Sequence, residues 1–178
     1  MKKNVLVFGL TSGLLLTAMM IYTTITCYSN PENFQSNDVV GYAAMILIFS
    51  LIFVGVKNYR DKYSNGVVTF GKAFRIGLYI SLIAATMYTV VWLFEYYLFV
   101  PDFMDKYSAH VLQKARAGGA SAAELTKKAD EMATFKNLYR NPLAVVAVTY
   151  LEVLPIGVIV ALISALILKR KQPRTAVS

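Results

Sequence analysis

Four long stretches of the chain carry almost no charge: Val5 to Cys27, Val39 to Val56, Ile76 to Val100, and Leu143 to Leu168. A helix needs about 20 mostly apolar residues to cross the hydrocarbon core of a bilayer, with a range of about 17 to 25. The pattern therefore predicts an all-α integral membrane protein, a single domain over residues 1–178, with four transmembrane helices over 5–27, 39–56, 76–100 and 143–168. Turn-formers or charges close each stretch: Asn30-Pro31, Lys57-Asn58-Tyr59-Arg60, Pro101-Asp102 and Lys169-Arg170-Lys171. Lys2-Lys3 ahead of the first stretch is also how a signal peptide begins, but the run is too long and no small-x-small cleavage site follows. An uncleaved helix is expected.

Between the third and fourth stretches, over 102–141, the pattern becomes amphipathic. Phe103, Tyr107, Val111 and Ala115 recur at every fourth position, with Met104 and Leu112 alongside, and Gly118-Gly119 interrupts them. Ser121 and Glu124 have capping-box spacing. Leu125, Ala129, Met132, Phe135 and Leu138 then form a second stripe, stopped by Asn141-Pro142. An extramembrane helical hairpin is predicted, lying on the bundle or in the headgroups, with His110 a solvated surface residue. The shorter 57–75 segment carries a turn at Ser64-Asn65-Gly66, and Phe70 and Phe74 share one helical face leading into the third span.

Composition agrees with lipid as the solvent. Hydrophobic residues are 57% of the 178 and charged ones only 16%, against about 25% charged in soluble domains. One Cys and one His exclude a disulfide framework and a zinc site. The net charge of +8 reads as topology charge, not as a nucleic-acid footprint. Lys2 and Lys3, the five cations of 57–75, and Lys169, Arg170, Lys171 and Arg174 flank alternate ends of the spans, whereas 28–38 has no Lys or Arg. Both termini and the 57–75 loop are thus expected in the cytoplasm, near anionic lipids.

Small residues recur where helix backbones would meet: Gly9 and Gly13, then Gly77, Ser81 and Ala85, then Gly157, Ala161 and Ala165. They predict a compact bundle, with homodimerisation through one such face as the alternative. The first and third spans also align weakly at an offset of 68, as two hairpins in parallel repeat or chance in so restricted an alphabet would give.

Glu95 and Glu152 stand inside the third and fourth spans, where no Lys or Arg accompanies them. A charge at a helix centre costs about 2.5–3.5 kcal/mol on insertion scales, so each carboxyl must bind a proton, reach water or meet a cation. Tyr88 and Ser81 lie seven and fourteen residues before Glu95, on its side of the helix. Glu95 is expected to point into the bundle. Glu152 precedes Pro155, which removes one helical donor and is expected to kink the helix. On an unbent wheel Glu152 lies about 140° from Gly157. Glu95, Glu152, Tyr88 and Ser81 form the candidate intramembrane polar site.

The run Asn65-Gly66-Val67-Val68-Thr69-Phe70-Gly71-Lys72-Ala73-Phe74, the Pro101-Asp102-Phe103 exit, Asn141-Pro142 and Glu152-Val153-Leu154-Pro155-Ile156-Gly157 occur in that order. In these motifs the chain resembles, over nearly its whole length, the bacterial membrane family designated domain of unknown function 4199. The resemblance implies a small four-helix bacterial membrane protein with no assigned activity, and it supplies no catalytic residues. The sequence holds no phosphate loop, dinucleotide fingerprint, HExxH or Gly-x-Ser-x-Gly elbow. No enzyme, cofactor or metal site is expected. The expected function is structural or interactive, as an accessory protein of the bacterial inner membrane. The alternative is a small proton- or cation-coupled transporter using the two carboxylates. Expected partners are membrane lipids and either an unidentified membrane protein or a second copy of the chain.

Overall fold

The computed structural model describes residues 1–29 and 38–170. Among the described residues seven helices follow one another: α1 (Lys2–Ser29), α2 (Asp38–Phe49), α3 (Leu51–Tyr63), α4 (Phe70–Phe94), α5 (Phe103–Ala117), α6 (Ala122–Leu138) and α7 (Pro142–Leu168). A π-helical turn, Glu95–Phe99, extends α4. Four runs are long and apolar enough to cross a membrane: Lys2–Ser29, Val39–Tyr63, Phe70–Phe99 and Pro142–Leu168. They have the make-up of a membrane protein.

Each run extends past the apolar stretch that marks it in the sequence, because polar flanks that end a hydrophobic pattern do not end a helix. The second reaches Tyr63 instead of Val56, carrying Lys57, Arg60 and Lys62 in its last turns while Val56 and Tyr59 stay buried. Only Ser50 interrupts it, where the hydroxyl donates to the Leu47 carbonyl at 2.6 Å. The third run begins at Phe70, and the Phe70 and Phe74 rings stack at 6.1 Å on one face. The turn before it has Asn65 and Gly66 at φ 49° and 76°, the left-handed region this dipeptide favours.

α4 is the central helix. Gly9 and Gly13 of α1 lie against Ile83, Ala84 and Met87. Gly77 lies against Ala161, and Gly157 against Ser81. The numbers rise together in the first pairing and in opposite senses in the second, so α1 runs parallel to α4 and α7 antiparallel to both. All three small-residue stripes are therefore occupied within one chain. A homodimer built on them, the alternative drawn from the sequence, would have to displace a neighbouring helix.

The start of α1 and the end of α7 consequently share one end of the bundle. There the Arg170 N–H donates to the Val68 carbonyl at 2.9 Å, tying the 64–69 turn to α7, and the buried Asn4 amide donates to the Gly55 carbonyl at 2.9 Å. The cations of the 57–75 segment gather at the same end.

At the other end α5 seats Met104 in the core, and Phe103 meets Trp92 edge-on at 5.0 Å. Its whole apolar stripe is at least half-buried. His110 is half-buried too, not fully solvated as expected. α6 carries the expected capping box, in which Ser121 N–H donates to Glu124 at 2.7 Å. The Ser121 N–H and hydroxyl hold the Glu124 carboxyl below its usual range. Its stripe departs from expectation: Leu125, Ala129 and Met132 are half-buried, but Phe135 and Leu138 are exposed. In their place Lys136 lies on the half-buried face and makes an ion pair with Asp105 of α5. No residue of α6 is fully buried.

Candidate functional site

Glu95 closes α4 and opens the π-turn. The Val100 N–H reaches back five residues to the Glu95 carbonyl at 3.0 Å, one residue farther than in an α-helix. Pro101 follows, which has no N–H to continue the ladder and restricts Val100 before it. Turns of this kind sit mostly as single insertions in helices and often at functional sites.

The Glu95 side chain is 8% exposed, turned inward as its wheel position predicts. The Thr24 hydroxyl of α1 hydrogen-bonds to it. Its Oε2 atom is buried with no hydrogen-bond partner among the described residues. The hydroxyls of Thr17 on α1 and Thr89 on α4 are likewise buried and unpartnered among them. The register that pairs Gly77 with Ala161 and Ser81 with Gly157 brings Thr89 level with Thr149 of α7, itself buried. The α5–α6 end of the bundle thus has a seam of buried oxygens beside Glu95.

Around the seam stands an aromatic collar. Tyr96 packs edge-on against Tyr139 at 5.4 Å and against Tyr97 at 4.9 Å, while the Tyr97 hydroxyl donates to the Tyr139 carbonyl at 3.0 Å. Beside it the Tyr28 hydroxyl donates to Asp102 at 2.9 Å, and Lys106 lies 2.9 Å from the same carboxylate and 3.9 Å from the centre of the Tyr28 ring. The Lys106 ammonium first, and the Tyr28 hydroxyl after it, hold the Asp102 carboxyl below its usual range. Burial, and then the Glu152 charge, push the Tyr139 phenol up to about 12.

The four candidate residues do not converge on one site. Tyr88, half-buried, stands near both Glu152 and Glu95. Glu152 is on an exposed face of α7 instead of in a polar interior. The buried stripe of α7 is Val145, Thr149, Val153, Gly157, Ala161 and Ala165, and Glu152 falls off it as the 140° wheel angle requires. The helix runs unbroken through Pro155. Ser81 stands apart: it donates to the Gly77 carbonyl at 2.9 Å and fills the space beside Gly157, about 21 Å of helical rise from Glu95.

The family described as "Protein of unknown function (DUF4199)" matches residues 7–170, which takes in α2 to α7 and all but the first five residues of α1. The chain belongs to that family. No curated protein and no solved structure matches it. For this member of the family, then, the site is read from its own residues alone.

Three of those residues have no forecast in the sequence reading: Thr24, Thr89 and Tyr139. Thr24 had a signal. It continues the inward stripe Gly9, Gly13, Thr17, Met20 at helical spacing, and all of these are buried. Tyr139 had none, because it lies outside the spans and is 8% exposed only through the docking of α5 and α6. Among the described residues no group of three metal-ligating side chains comes together.

Proposed function

We propose that this chain is an integral protein of the bacterial inner membrane that acts as an accessory or interaction subunit, and not as an enzyme. The observation that supports it is the parting of the two carboxyls: Glu95 is enclosed between α1 and α4, while Glu152 faces outward from α7. A coupled transporter needs its titrating groups on one water-reached path, and neither residue lines either of two surface clefts. One runs along α6 between Ala123 and Phe135, and the other lies outside the end of α4 at Leu93, Phe94, Tyr97 and Leu98. Both are open and shallow. A packed interior with long apolar outer faces suits a protein that works by lateral contact.

The cation-rich end, with both termini and the 64–69 turn, is placed in the cytoplasm on the Lys/Arg count, and α5–α6 on the opposite side as an extramembrane hairpin. Lys57, Arg60, Lys72 and Arg170 at that end suit anionic inner-leaflet headgroups. The test is site-specific photo-crosslinking in native membranes, with benzoylphenylalanine at Leu151 beside Glu152 and at Val54 as an exposed control. A protein adduct of discrete mass at Leu151 and not at Val54 is expected. Lipid adducts alone at both positions, with ion flux in proteoliposomes abolished by Glu95→Gln and by Glu152→Gln, would establish the transporter instead. Tyr88, near both carboxyls, is the observation that favours that second reading.

A further inference from the structure

A threonine inside a helix commonly turns its hydroxyl back to a carbonyl three or four residues earlier. Thr11, Thr23, Thr26, Thr86 and Thr149 all do so here. Ser12, Thr17 and Thr89 do not. Each sits inside a helix where that bond is available, yet its buried hydroxyl has no hydrogen-bond partner among the described residues. Glu95 adds a fourth oxygen, Oε2, in the same condition. All four side chains are more than nine-tenths buried.

The α1–α4 contact brings most of these oxygens to two successive levels. The offset of 71 positions that sets Gly13 against Ala84 also joins Thr24 to Glu95. It puts Thr17 level with Tyr88 and beside the level of Thr89. Thr17 and Thr24, seven residues apart, share a face of α1, as Tyr88 and Glu95 share one of α4. About 10 Å of rise separates the two levels.

Neither state of the Glu95 carboxyl is satisfied by these groups alone. Ionised, it is a buried charge that makes no ion pair among the described residues, and such a charge is costly without a counter-ion. Protonated on Oε2, it holds a donor with no acceptor. Protonated on the other oxygen, it leaves Oε2 an acceptor with no donor, and the Thr17 and Thr89 hydroxyls stay unpaired in every case. A small cation that brings its own water answers both wants: the ion meets the carboxylate, and its water reaches the hydroxyls.

We propose that Glu95 is the charged ligand of a monovalent cation of sodium's class, held with its water between α1 and α4 beside Thr24, Thr17 and Tyr88. One carboxylate balances one positive charge. Calcium sites gather several carboxylates and zinc takes nitrogen or sulfur, whereas no group of three such side chains comes together among the described residues. The bound ion ties α1 to α4 beside the π-turn whether or not the outer faces meet a partner. The proposal therefore goes beyond the interaction reading and does not depend on it.

The test uses the full-length chain in dodecyl maltoside, with sodium chloride exchanged for choline chloride at constant ionic strength. Equilibrium binding of radiolabelled sodium is expected to saturate at one ion per chain. The thermal unfolding midpoint is expected to rise by about 3–6 °C at ten times the half-saturating concentration. Glu95→Gln should abolish both effects, and Glu131→Gln, at an exposed carboxyl of α6, should change neither. Thr17→Val should weaken sodium binding by about two- to tenfold, the worth of one hydrogen bond, while Thr17→Ser keeps it. Equal midpoints in sodium and choline overturn the proposal, as does sodium binding that survives Glu95→Gln. A midpoint that follows pH but ignores sodium also overturns it, in favour of a protonated Glu95 with bound water. Should Glu95→Gln fail to fold, the Thr17 pair decides: sodium affinity unchanged in Thr17→Val overturns the site.

Discussion

At Gly157 a methyl group would lie 2.7 Å from the Ser81 hydroxyl oxygen, too near for either backbone to keep its place. Gly157→Val should therefore destabilise the bundle by about 1–3 kcal/mol, the usual cost of overpacking. Gly41 of α2 has open space where its methyl would be, and Gly41→Ala should be neutral or stabilise by up to roughly 1 kcal/mol. Thermal unfolding in detergent micelles separates the two outcomes. Thr24 tests the buried acid in the same way. Thr24→Val leaves Glu95 without its hydrogen bond and should cost about 1–3 kcal/mol, whereas Thr24→Ser should retain most of the stability. A Val variant as stable as the Ser variant would show that this hydrogen bond contributes nothing. The inward turn of Glu95 was legible from its seven-residue spacing to Tyr88 and Ser81. Its hydroxyl partner was not, because a partner on another helix depends on the register between two helices, which neither stretch encodes alone.

The capping residues, the Gly118-Gly119 break and the Asn65-Gly66 turn were all readable in the sequence, since each is decided within four or five residues. The π-turn was not. It arises where α4 must end at Pro101 while delivering Phe103 and Met104 of α5 to the core, a condition set by the docked helix. The junction there is held by Tyr28, Asp102 and Lys106. The folded protein keeps the Asp102 carboxyl below its ordinary range, so the clasp is at full strength above that range and is lost as pH falls below it, through the lowered value of the folded state. Trp92, the single tryptophan, touches Phe103 and should report the loosening as a fluorescence change on acidification. Asp102→Asn should abolish that pH dependence and show the loosened signal at neutral pH. A transition unaltered by Asp102→Asn would place it elsewhere.

Taken whole, the molecule is a bundle around α4 with its cations at one end and a two-helix addition at the other. If four runs are solvated by hydrocarbon, the chain should stay in the membrane pellet after alkaline carbonate extraction and leave it only with detergent. Release into the supernatant would overturn the membrane reading. Much of this architecture follows from local properties: run length fixes which helices suit lipid, charge marks their ends, and small residues mark the contact faces. Each of these acts through the nearest neighbours or the solvent, so the residues alone determined them. What became of the two carboxyls was decided only by tertiary packing. Glu95 is enclosed because α1 covers that side of α4, and Glu152 faces outward because α7 meets α4 through Gly157 and its stripe, about a third of a turn away. Burial is a relation between elements, and the same acid in the same helix is enclosed or turned outward according to which face its neighbour takes.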